Sequence, residues 1–363
     1  MPRTPEQLIE VATRHASHLE RVKSHDVRAY ETFLTRMADQ VRARLSKADG
    51  LTDYTLERLK RLQGKIADDL SEIASSASGE LRNQIRQIAQ YEAGFEAKSL
   101  GQVVKHDFAV PSVTQLNAAV FATPLASIKG ADQGKMLAAF IKSWSEATID
   151  RVQGAVVAGY YQGQTNMEIM RGIIGSKKAR YGDGEFARVW RNLETVVRTS
   201  LQHAASQARQ ATWDANSDIV KQVMWLSTLD TRTSTICQAL DRTVYPLDSG
   251  PRPPAHPNCR STTVAVLDSR FAMLDDDATR AARDPETGQV EFTDAKETYY
   301  SWLKRQPADV QDSIIGPSRG KLLRDGGITS DRFAELQLGR NFEPMTLARM
   351  RELEPTAFQR AGI

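Results

Sequence analysis

Cys237, His256 and Cys259 are the residues of this chain best suited to chemistry. They include both cysteines of the 363-residue sequence and one of its six histidines, within the single run WLSTLDTRTSTICQALDRTVYPLDSGPRPPAHPNCRS that starts at Trp225. Two thiols and an imidazole are ligands that Zn²⁺ accepts, and the H-x-x-C spacing of His256 and Cys259 lets both reach one ion. A tetrahedral shell needs a fourth donor, for which Asp230 and Asp241 are the nearby carboxylates. The same residues admit three other readings: a loop held by hydrogen bonds, a Cys237–Cys259 disulfide in an oxidising environment, and a thiolate nucleophile activated by His256. The nucleophile reading lacks a recognisable motif, an orienting partner and an oxyanion loop.

The surroundings must position these groups. An apolar run, Val223–Leu226, reads as a strand, and Pro251, Pro253, Pro254 and Pro257 rigidify the excursion before the next one. Strands are expected at Val223–Ser227, Thr243–Pro246 and Thr262–Val266, which places Cys237, His256 and Cys259 in an extended, turn-rich hairpin or loop. Asp230 suits the cap of the Leu229–Ser234 turn, and Arg232 a fork onto a carboxylate or onto carbonyls.

The ordered set Asp230, Arg232, Thr233, Cys237, Leu240, Asp241, Pro253, Pro254, His256, Pro257, Asn258, Cys259 and Arg260 resembles the Mu F-like minor head proteins of tailed phages, the head-morphogenesis family. Arg198–Thr199 with Ala204, Ala205 and Ala208 is similar to that family's helix before the motif. Trp302–Pro307 with Ile315–Gly316 is similar to its trailing segment. The resemblance implies a structural component of the virion rather than an enzyme, inside the head near the portal and made in the host cytoplasm. It implies the portal protein, the major capsid or scaffold protein and packaged double-stranded DNA as partners, in head assembly, DNA packaging or DNA ejection. Relatives carry further cysteines where Ser234 and Ser261 stand here, so the resemblance does not settle between a zinc site and no cofactor. The alternative is a metal- or cysteine-dependent enzyme, nuclease or toxin-like, delivered with the virion.

Composition sets outer bounds. Forty-eight Lys and Arg against 45 Asp and Glu leave a net charge of +3, so any DNA contact would be local rather than spread over the chain. The richest basic segment holds Arg171, Lys177, Lys178, Arg180, Arg188 and Arg191 among Gly172, Gly175, Gly182 and Gly184, and reads either as a solvated surface or as a phosphate-facing loop, with Lys177, Lys178, Arg180 and Arg188 the possible DNA contacts. Nothing approaches the ~20 apolar residues of a membrane helix. No P-loop, dinucleotide fingerprint, zinc-protease motif or nucleophile elbow occurs.

The expected fold is mainly α with a small α+β module: elongated helices over 1–145, the motif-bearing domain with a short antiparallel sheet over 146–268, and an acidic connector with short helices over 269–363. Leu59, Leu62, Ile66, Leu70 and Ile73 repeat at helical spacing, as do Ile149, Val152, Val156 and Tyr160, and Phe186, Trp190, Leu193, Val197 and Leu201. Gly50 suits a helix stop and Thr52–Asp53 a restart, giving a helical hairpin that either packs on itself or serves as a docking arm. After Leu267 the acidic stretch reads as a surface connector. Short helices follow at 294–305, 308–314 and 330–338, and the tail after Asn341 either docks or dangles.

Overall fold

The computed structural model describes residues 6–48, 56–125, 133–179, 181–271, 278–339 and 342–363. The Gly50 stop, the Thr52–Asp53 restart and the Asp275–Asp277 run lie outside the described residues.

The N-terminal apolar periodicity becomes α1 (Glu6–Ala29), α2 (Glu31–Ser46) and α3 (Leu56–Val104), the last a 49-residue helix. α4 (Val113–Ala122) begins with a reciprocal cap between Ser112 and Gln115. α5 (Leu137–Tyr161), α6 (Asn166–Ile174) and α7 (Glu185–Asp214) follow. One apolar cluster runs through all seven helices, from Leu19 to Ala208, and crosses the 145/146 boundary without a break. The long helices are therefore packed scaffold, and the apolar stripe of α3 is spent internally rather than left open along an arm. Alanines at positions 89, 93, 204, 205 and 208 are almost completely buried in that cluster, and their small side chains allow close approach of helix axes.

Strands β1 (Val220–Leu226), β2 (Val244–Pro246) and β3 (Thr262–Leu267) form an antiparallel sheet in the order β2-β1-β3, with Val223 opposite Tyr245 and Ala265. All three expected strands are present. Between β1 and β2, however, the chain forms a short helix, α8 (Thr235–Leu240), so Cys237 stands on a helical turn rather than in an extended loop. The reason is local: the Ser234 hydroxyl caps the Cys237 N–H, and no proline interrupts 235–240.

The stretch read as an acidic connector folds, in its described part, as a hairpin: β4 (Thr279–Arg283) pairs antiparallel with β5 (Val290–Asp294). Its turn is organised by Asp284, whose carboxylate accepts the N–H groups of Glu286 and Thr287. Short helices α9 (Tyr299–Lys304), α10 (Ala308–Ile315), α11 (Pro317–Asp325), α12 (Ser330–Glu335), α13 (Leu347–Leu353) and α14 (Pro355–Ala361) complete the chain. The C-terminal tail docks: Met350, Ala357, Phe358 and Ala361 are buried in one cluster with Trp302, Leu323 and Phe333. That cluster also takes in Leu229, so the C-terminal helices pack against the motif itself.

Candidate functional site: a wired Cys–His–Arg loop

The segment that follows β1 is held by its own side chains. Asp230 accepts the N–H of Arg232 at 3.0 Å and the Thr233 hydroxyl at 3.1 Å, closing the turn as its sequence suggests. The fork onto its carboxylate comes from Arg260, not Arg232: Arg260 Nη2 lies 2.8 Å from Oδ1, and Nη1 bonds Oδ2. Burial pushes the Asp230 carboxyl up, but Arg260, the Arg232 N–H and the Thr233 hydroxyl outweigh it and hold the group below its usual range. Arg232 is exposed at the rim of the loop.

Four carbonyls from the end of β2 to Pro251 are gathered by Arg252, which the sequence reading missed. Its guanidinium donates to the carbonyls of Pro246, Leu247, Ser249 and Pro251 and to Gln210 Oε1 on α7. Proline-rich chain leaves carbonyls without helix or sheet partners, and an arginine amid prolines is the signal that could have found it. Pro253–Pro254 is a cis peptide bond, and both residues are buried.

His256 and Cys259 then approach Cys237. The Cys237 and Cys259 sulfurs are 3.8 Å apart as free thiols, and His256 Nε2 lies 3.2 Å from Cys237 Sγ and 2.8 Å from Ser234 Oγ. His256 Nδ1 is 2.8 Å from the Pro257 carbonyl, which can only accept, so Nδ1 carries a proton and Nε2 faces the cysteine group, as acceptor in the neutral ring and as donor in the imidazolium. Burial opposes ionisation of Cys259, yet hydrogen bonds from Cys237 and His256 and the imidazolium charge hold its thiol well below the ordinary range. Cys237, hydrogen-bonded to that sulfur and buried, is pushed well up, so the pair gives up one proton readily and the second with difficulty.

Two of the donor spacings can be set against those of a metal site. With Zn–S near 2.3 Å and Zn–N near 2.05 Å, a tetrahedral site sets S···S at about 3.8 Å and S···N at about 3.6 Å, against 3.8 and 3.2 Å here. Cys237, His256 and Cys259 form the one metal-competent cluster among the described residues. Neither carboxylate supplies a fourth ligand: Asp230 belongs to Arg260, and Asp241 to Arg280, Ser227 N and Tyr299 N. Ser234 Oγ occupies the adjacent position instead.

The flanking segments are wired to the same loop. Thr199 on α7 accepts the Asn258 N–H at 3.1 Å, Gln202 donates to the Ser261 carbonyl at 2.7 Å, and Tyr299 donates to the Asp230 carbonyl at 3.0 Å. Asn258 has φ of 59°, a left-handed conformation that asparagine tolerates better than most residues, and its amide donates to Thr195 Oγ1. Asn258→Ala should therefore cost about 1–2 kcal/mol in urea unfolding, and Asn258→Gly less; equal costs would show that the side-chain contact, not the backbone, dominates.

In front of the loop lies a cleft of about 850 Å³ walled by α1, α7, the motif and β4, with Arg21, Arg198, Arg232, Arg260 and Arg283 against Glu20 and Glu194, and with His256 and Cys259 on its wall. Both cysteines are only 2% exposed. Lys177 and Lys178 are exposed on the segment between α6 and α7, Arg188 is exposed in the first turn of α7, all three apart from this cleft's lining, and Arg180 lies outside the described residues. That segment is ordered by Asp183, which accepts Ser176 N and Oγ, and a Cβ on Gly184 would collide with the Gly175 backbone.

No curated protein and no solved structure matches the chain. Residues 150–264, from the middle of α5 into β3, match the family model described as Phage Mu protein F like protein, so across that middle third the chain is similar to phage Mu F-like proteins.

Proposed function

We propose that the chain is a structural minor head protein of a tailed phage that works beside the portal, inside the head, and assists head assembly, DNA packaging or DNA ejection. The observation that carries this reading is that the motif is spent on holding the fold. Asp230, Thr233, Asp241, Asn258 and Arg260 are bonded to one another or to neighbouring elements, and the thiols are buried. An enzyme built on Cys259 would need a reachable sulfur and a placed donor for a developing oxyanion. The five arginines of the 850 Å³ cleft suit an acidic segment of a partner, since only Arg198 and Arg260 of the five are in ion pairs among the described residues. The test is capture of purified portal and major capsid proteins by the full chain. Saturable portal binding, weakened by Arg21→Glu with Arg232→Glu, is expected; absence of portal and capsid binding together with turnover of a nucleic-acid or peptide substrate would favour the enzyme.

A second reading is favoured by the 3.8 Å and 3.2 Å donor spacings: a structural zinc held by Cys237, His256 and Cys259, with Ser234 or water completing the shell. Bound there, the ion would cross-link α8 to the strand-preceding loop. Metal analysis on the purified chain should then give one zinc per molecule, with a melting temperature that falls after chelation. A metal-free chain whose melting ignores chelator is instead the hydrogen-bonded dithiol–imidazole cluster.

A further inference from the structure

The helical scaffold carries a second charged feature far from the motif. At the α2–α3 end of the bundle a pocket of about 290 Å³ is lined by Arg44, Lys47, Arg58, Arg61 and Lys65, with Ala48 and Leu62 as its other walls. Arg58, Arg61 and Lys65 follow one another at spacings of three and four residues, so α3 presents them on one face. Arg44 is tied to Asp69 at 2.6 and 2.8 Å, but Lys47, Arg61 and Lys65 are exposed and make no ion pair among the described residues. Gathering Lys47, Arg61 and Lys65 with no ion pair among the described residues costs free energy that an anion would recover.

The same end receives a second basic element. Asn166, the first residue of α6, donates to the carbonyls of Leu45 and Ala48 at 3.0 and 2.7 Å, and Ser46 touches Met170. A nine-residue helix is about 14 Å long, so the segment bearing Arg171, Lys177 and Lys178 starts within that distance of the α2 terminus.

We propose that this end of the bundle binds the phosphate backbone of double-stranded DNA. The described residues that line the pocket include no aromatic ring on which a base could stack, which disfavours a single strand. Its two small apolar walls offer no side-chain pockets for a peptide. Cations alone read a regular array of phosphates, without sequence preference.

The test is fluorescence anisotropy of the full chain with a labelled 30-base-pair duplex across a salt series. Binding should weaken with salt, and the triple variant Lys47→Ala, Arg61→Ala, Lys65→Ala should lose at least roughly tenfold in affinity at low salt and flatten the log–log slope by about 2–3. Arg61→Lys should keep the slope. Because these side chains are exposed, the triple variant should melt and capture portal as the wild type does, which separates this site from the assembly reading. The proposal is overturned if the triple variant binds duplex with unchanged slope, if only Lys177→Ala with Lys178→Ala lowers it, or if the wild type prefers an acidic peptide or anionic vesicles to duplex.

Discussion

Asp241→Ala is expected to destabilise the chain by about 3–5 kcal/mol, the largest effect of any single substitution considered, because it strands a buried cation. Asp241 and Arg280 are 1% and 0% exposed and form a two-pronged ion pair. The same carboxylate accepts Ser227 N at 2.7 Å, at the end of β1, and Tyr299 N at 2.8 Å, at the start of α9. Arg280 also donates to the carbonyls of Ser227 and Glu297. One carboxylate thus pins the motif loop, the β4–β5 hairpin and the C-terminal helices together. Equilibrium urea unfolding measures the loss. Replacing the pair together, as Asp241→Leu with Arg280→Met, should recover a good part of it, since an apolar pair needs no compensation; a single variant within 1 kcal/mol of wild type would mean that water reaches Arg280.

Glu96→Gln should stabilise the chain by up to about 3 kcal/mol at pH 8 while changing little below pH 4.5. Glu96 is buried on α3, and burial raises its carboxyl from 4.5 to about 7, against the opposing pull of Arg209 and of the Trp213 N–H 2.7 Å away. Glu92, which faces it, is shared between His15 at 2.6 Å and Arg209 at 3.3 Å. A carboxyl whose folded pKa is raised binds more protons in the folded state, so its contribution falls as pH climbs from about 4.5 to 7. His203 acts in the opposite sense: burial lowers its imidazole from 6.5 to about 4, and stability is lost as pH falls through that window. The two offset each other between roughly pH 4.5 and 6.5, leaving the wild-type profile shallow there. Chemical unfolding of Glu96→Gln at several pH values should uncover the His203 slope, with stability declining below pH 6.5; a variant profile parallel to the wild type at every pH would show that Glu96 ionises normally.

The sequence reveals most where one local rule suffices. Helical periodicity located α3, α5 and α7, an apolar run and prolines located the three-stranded sheet, and the ordered motif holds Cys237, His256 and Cys259, whose ligand atoms lie within 4.8 Å of one another. What escaped depended on distance along the chain. Arg280 lies 39 residues from Asp241 in a stretch whose acidity suggested a connector, and nothing local marks it as buried. The fork on a carboxylate was expected of Arg232, with no partner named, whereas the fold brings Arg260 onto Asp230 from 30 residues away. The helix around Cys237 was hidden by its shortness, six residues being too few to display a period. The basic pocket was missed because its cations belong to two helices, and only the fold adds them together.

The length of α3 gives the molecule a scale. Arg61 and Glu92 stand on one uninterrupted helix, 31 residues and about 46 Å apart at 1.5 Å per residue. One end meets the basic pocket, and the other is stitched through Arg209 to Thr262 and Thr263, at the start of β3 just beyond the Cys–His loop. The basic pocket and the Cys–His loop are therefore held at a fixed separation along one helix rather than drawn together.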